Sequence, residues 1–131
     1  MNNFKCPKCD AYLNICDQIV LAAENEIGQH GLILLHQELG NYTVDFHEKF
    51  NVTQGEKLKL YCPACHKNLT SHKTDELAHI VMEDEDGTPF EIHFSKTKGE
   101  EATYKIEGKS VEYYGISHPK YLNFFNLSAI K

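Results

Sequence analysis

The chain has 131 residues, 41% of them hydrophobic, enough for an ordinary core that does not depend on a metal to fold. Its net charge is −6, and lysine supplies all of its positive charge because arginine is absent. Arginine is the usual bidentate reader of phosphate and guanine, so an acidic, arginine-free chain is a poor nucleic-acid binder.

The first informative element is Cys6-Pro7-Lys8-Cys9, reached after five residues with no apolar leader before it. Residues 18–23 and 31–37 follow as apolar runs joined through Gly28-Gln29-His30-Gly31, a hairpin pattern. Leu39-Gly40-Asn41 turns the chain. Val44, Phe46 and Phe50 then alternate with polar residues, as in a half-buried strand. A turn at Gln54-Gly55-Glu56 leads to Leu58 and Leu60 alternating with lysine, and so to a second cysteine pair, Cys62-Pro63-Ala64-Cys65.

The C-terminal half repeats the theme. Ile80 and Met82 face one way, Asp84 to Gly87 make a turn, and Phe90, Ile92 and Phe94 alternate with Glu91, His93 and Ser95. After Lys98-Gly99 come Ala102, Tyr104 and Ile106, then a break at Gly108, then Val111 and Tyr113. Two helical pieces are expected, a turn over residues 74–78 capped by Thr74 and a short helix over 119–127. The longest apolar stretches, 19–23 and 32–35, are strand-sized and far too short to span a membrane.

Two cysteines at this spacing can grip a metal ion from one side, and a second pair completes a tetrahedral four-sulfur site. In each pair the proline stiffens the turn, and backbone amides point back at the first sulfur. The stretches around the pairs also echo one another, with cysteines, proline and Leu13 and Leu69 in register. Two such turns related by a local pseudo-two-fold would clasp one ion. Cys6, Cys9, Cys62 and Cys65 are therefore the candidate metal ligands. In form they resemble the knuckles of zinc ribbons and rubredoxins, Cys-Pro-x-Cys. In that family glycine commonly follows each pair at a positive φ, where this chain has Asp10 and His66, two residues that tolerate the region. The family's compact modules space their pairs by roughly 15–20 residues, whereas 52 separate Cys9 from Cys62, and that insert must form strands of its own. The resemblance covers two nine-residue stretches. It implies one zinc ion per chain in a closed structural site, with iron the alternative, since both metals accept tetrahedral thiolate. A thioredoxin-type dithiol fits less well, because neither pair opens a helix after a parallel strand.

Cys16 is expected to be a small buried apolar residue. The eight histidines are scattered, with His66 adjoining a knuckle and His47, His79 and His93 on strand positions that read as solvent-facing or shared between faces. Residues 83–87, Glu-Asp-Glu-Asp-Gly, are too short for a calcium loop. Tyr113, Tyr114, Tyr121, Phe124 and Phe125 read as core packing. No nucleophile elbow, phosphate loop or catalytic triad order is present.

The sequence therefore predicts a mainly β fold of antiparallel hairpins with a zinc-ribbon-like four-cysteine site and a short C-terminal helix. It is expected to form a single domain over residues 1–131, with residues 1–72 closed by the metal and 73–131 a β-meander plus helix. A cytoplasmic, non-enzymatic metal-binding protein is expected, acting on a protein partner rather than on nucleic acid or membrane, and able to dimerise through sheet edges. A one-electron carrier with iron, or a thiol-based stress sensor, are the competing functions.

Overall fold

The computed structural model describes residues 2–125. Ten strands follow in order: β1 (Asn3–Lys5), β2 (Asn14–Ile15), β3 (Gln18–Glu24), β4 (His30–His36), β5 (Val44–Phe46), β6 (Lys59–Tyr61), β7 (Leu77–Glu83), β8 (Pro89–Ser95), β9 (Thr103–Glu107) and β10 (Ser110–Tyr114). A 3₁₀ helix over His118–Phe125 comes last. The fold is mainly β and antiparallel with a short C-terminal helix, as the alternating pattern required. One sheet runs β1-β7-β8-β9-β10; the other runs β2-β3-β4-β5, with β6 also on β3.

The two halves of the chain are copies of one motif. The hairpin β3–β4 pairs Gln18 with His36 and Glu24 with His30. Shifted by 59 residues, the hairpin β7–β8 pairs Leu77 with Ser95 and Glu83 with Pro89. The next strand keeps the same register under the same shift, Ile33 opposite Phe46 in one copy and Ile92 opposite Lys105 in the other. The turns match too. Asn25 Oδ1 accepts the Gln29 N–H at 2.8 Å, and Asp84 Oδ1 accepts the Thr88 N–H at 2.9 Å. Gly28 and Gly87 hold the positive φ of 83° and 80° that each turn requires. β10 and the 3₁₀ helix follow only the second copy.

The copies exchange their first strands. β1 pairs with β7 of the second copy, Phe4 opposite Met82, while β6 pairs with β3 of the first, Leu60 opposite Ala23. The inward faces of both sheets share one core, containing Phe4, Leu13, Leu21, Leu60, Leu69, Ile80 and Ile92, each at most 2% exposed. A second, smaller core on the outer face of the second sheet joins Leu77, Tyr104 and Ile106 to Tyr121, Leu122 and Phe125 of the 3₁₀ helix.

Three local expectations are corrected. The strand after residue 41 ends at Phe46; Phe50 reaches the core through a turn, its N–H on the His47 carbonyl at 2.9 Å. Residues 74–78 form no helix: Thr74 Oγ1 accepts the Glu76 N–H at 3.3 Å, and β7 already begins at Leu77. The terminal helix is 3₁₀ and begins at His118; its expected end at 127 lies outside the described residues.

Candidate metal centre

Strand exchange brings the knuckles together, because β1 and β6 each enter a knuckle while lying on the other copy's sheet. The two turns are built by matching hydrogen bonds. The Cys6 N–H donates to the Ala11 carbonyl at 3.0 Å and the Cys62 N–H to the Lys67 carbonyl at 3.1 Å. The Asp10 N–H closes on the Cys6 carbonyl at 3.0 Å, and the His66 N–H on the Cys62 carbonyl at 2.9 Å. Each closure forces a left-handed residue, and Asp10 and His66 take it at φ 62° and 64°. Below the turns, Leu13 and Leu69 donate their N–H groups to Phe4 and Leu60 and bury their side chains in the shared core.

The four sulfurs converge. Cys6 Sγ lies 3.9 Å from Cys65 Sγ, and Cys9 Sγ lies 3.7 Å from Cys62 Sγ. Four thiolates around one ion at about 2.3 Å would stand about 3.8 Å apart. All four ligand atoms lie within 4.8 Å of one another, so the group can hold a metal ion. Amides face the sulfurs: Lys8 N–H reaches Cys6 Sγ at 3.3 Å, and Ala64 and Cys65 N–H reach Cys62 Sγ at 3.3 and 3.4 Å. The Lys67 amide draws Cys65 down to about 7, whereas burial pushes Cys6 up to about 12. Four crowded sulfurs cannot all ionise without a cation among them, so a bound ion would supply the missing charge. Cys6 and Cys62 are buried and Cys9 is exposed, so the centre lies at the surface with its inner side sealed.

The fifth cysteine departs from expectation. Cys16 is exposed, not buried, because with Asp17 it forms the tip of the β2–β3 turn at φ 57°. His66 stands beside the knuckle as the sequence placed it. His93 was expected to face solvent or be shared between faces, yet it is fully buried, because the 3₁₀ helix covers the outer face of its strand: Phe125 lies 5.4 Å from its ring. Of the C-terminal aromatics, Tyr121 and Phe125 are core, whereas Tyr113 and Phe124 are 48% and 41% exposed.

Sequence reasoning missed a second group. Ligand atoms of His72, Glu91 and His93 also lie within 4.8 Å of one another, and His79 stacks on His93. The alternation of β8 placed Glu91 and His93 on one face, but nothing in the sequence tied His72 to them.

No helix among the described residues is long and apolar enough to cross a membrane. Compared with family models, with curated proteins and with solved structures, the chain matches none.

Proposed function

We propose that Cys6, Cys9, Cys62 and Cys65 hold one structural zinc ion and that the chain acts as a non-catalytic module engaging a protein partner. The observation that carries the metal reading is the pair of sulfur–sulfur distances, 3.9 and 3.7 Å, set by two matching turns. Four protein sulfurs fill a tetrahedron, leaving no position for a substrate, so the ion's task is to fasten. What it fastens is the strand exchange, where two strands of only three residues each cross onto the other copy's sheet.

The partner reading is supported by surface chemistry. On the outer face of the first sheet, Val20 and Ala22 stand opposite Leu34 and Leu32, and Leu32 is 56% exposed. The matching face of the second sheet carries the 3₁₀ helix. An uncovered apolar strip suits a protein surface, and an acidic chain without arginine does not suit nucleic acid.

Metal content and the visible spectrum of protein purified without added metal test the reading. One zinc per chain and no colour supports it. One iron with intense thiolate bands overturns it in favour of an electron carrier, and no metal at all removes the fastening role.

A further inference from the structure

The outer face of the second sheet carries a cluster that the four-cysteine reading does not use. His79 on β7 and His93 on β8 are register partners with rings stacked 4.6 Å apart and 6° from parallel. The loop before β7 brings the His72 ring to 5.7 Å from His79 and 5.4 Å from His93. Glu91 lies at their centre. Its Oε1 is 2.9 Å from His93 Nε2, 3.9 Å from His72 Nε2 and 4.0 Å from His79 Nε2. His79 Nε2 is shielded from solvent and has no hydrogen-bond partner among the described residues.

Internal duplication supplies a control for the ordinary explanation, that these residues merely complete a core. The places of His79, Glu91 and His93 in the first copy are held by Val20, Leu32 and Leu34. The hairpin therefore forms with apolar residues at all three positions, and folding does not call for imidazole or carboxylate there. Ser71 and His72 sit in a connection that is three residues longer than its counterpart in the first copy. Only the second copy carries both the cluster and the segment that completes it.

We propose that His72, Glu91 and His93 form a second metal site, for a divalent transition ion such as zinc, with His79 Nε2 available as a further ligand. Two or three imidazoles with one carboxylate make a nitrogen–oxygen donor set suited to such ions. Ligands about 2.1 Å from an ion stand about 3.4 Å apart in a tetrahedron, so small side-chain movements from the observed distances close the site. Burial holds His93 and His79 in their neutral forms, His93 down to about 4, so neither must lose a proton to bind.

The hydrogen-bond network shows how the proton on His93 is accommodated. Glu91 as a carboxylate can only accept, so the His93 proton sits on Nε2 and is donated to it at 2.9 Å. Nδ1 is then left to accept from Ser71 Oγ at 2.8 Å, while that oxygen accepts the Lys73 N–H at 2.9 Å. On metal binding that proton moves to Nδ1 and is donated to Ser71 Oγ, whose hydroxyl turns away; Nε2 and Oε1 are freed for the ion, and no proton leaves the protein. His72 and Glu91 have side chains 60% and 43% exposed, so the ion would keep a water on its solvent side, as in open rather than structural sites.

The test is titration of the full chain with Co²⁺ near neutral pH, followed by calorimetry and absorption. Variants share the four cysteines with the wild type, so the difference between them isolates the second site. The wild type is expected to take up one more equivalent than the His72→Ala/Glu91→Gln variant, with no thiolate charge-transfer band accompanying that equivalent. A His79→Val/Glu91→Leu/His93→Leu variant, which installs the residues of the first copy, should lose the same equivalent and keep its circular dichroism. Ser71→Ala should weaken it about tenfold. Equal uptake by wild type and the His72→Ala/Glu91→Gln variant overturns the proposal, and so does a difference that appears only in thiolate bands.

Discussion

Cys6 and Cys62 occupy one place in two copies of a motif, and each is delivered to it by a strand paired with the other copy. That relationship explains why four cysteines separated by 52 residues meet at all. The intervening chain is not a loop inserted into a small metal module. It is the remainder of the first copy, whose strands return the chain to the point where the second knuckle begins.

Replacing Cys62 by serine should abolish tight metal binding and loosen the exchange. Removing one ligand of a structural ion costs about 3 kcal/mol or more, and at roughly 4 °C per kcal/mol for a chain of this size the melting temperature should fall by about 12 °C. Thermal unfolding with metal analysis checks it. Chelator treatment of the wild type should reproduce most of the fall, and a melting temperature unchanged by both would remove the ion from the structural account.

Leu13 and Leu69 lie under the two knuckles at 2% and 1% exposure, each donating its N–H to the strand that enters its own knuckle. Leu13→Ala and Leu69→Ala should each destabilise by about 3 kcal/mol, within the usual range for buried leucine. If the copies are equivalent in energy as well as in shape, denaturant titration should give two costs that agree to about 1 kcal/mol. A large cost at one position and a negligible one at the other would show that only one knuckle is anchored to the core.

Much of this was legible in the sequence, and the rest was hidden for physical reasons. Strict alternation in 90–94 and 102–106 revealed strands, because a half-buried sheet demands period two. The cysteine pairs revealed the site, because metal geometry constrains spacing tightly. The duplication was visible only at the knuckles, where the cysteines, the proline and Leu13 and Leu69 recur in register. Along the hairpins the copies share register but few residues, since a strand pair asks only for apolar and polar alternation, which Val20 and His79 meet equally from opposite chemical classes. His93 was misplaced because the covering helix arises from residues 25 and more positions downstream, beyond the reach of strand periodicity. Cys16 was misplaced because a two-residue turn with one positive φ carried no glycine to mark it.

Gly115 should resist substitution strongly. Its φ is 94°, and a Cβ there would lie 2.1 Å from the Glu101 carbonyl oxygen and 2.6 Å from the Tyr42 hydroxyl. Backbone cannot step aside as a side-chain end can, so Gly115→Ala should cost about 3 kcal/mol from strain and overlap together. Gly108 is the control: its φ of 58° is also left-handed, but nothing lies within 4 Å of the added Cβ, so Gly108→Ala should cost about 1 kcal/mol. Equal losses in thermal unfolding would mean that the β10–helix junction yields without resistance.

Glu56 should make folding sensitive to acid. Its carboxylate accepts the Glu26 N–H at 2.7 Å and the Thr53 N–H at 2.9 Å, tying the turn after β3 to the turn before β6. The Glu26 amide foremost, then that of Thr53, holds the carboxyl below the ordinary glutamate value of 4.5. A folded pKa below the unfolded one means that the native state binds the proton less readily, so the contribution is complete above pH 4.5 and is lost as pH falls through the lowered value. Glu56→Gln keeps the shape but removes the charge and turns one of the two accepting oxygens into an NH₂ donor. Denaturant midpoints measured from neutral pH downward should therefore show wild type more stable than the variant near neutrality, with the gap closing as pH falls below 4.5. A gap that persisted unchanged in acid would mean that the two amides do not depend on the carboxylate's charge.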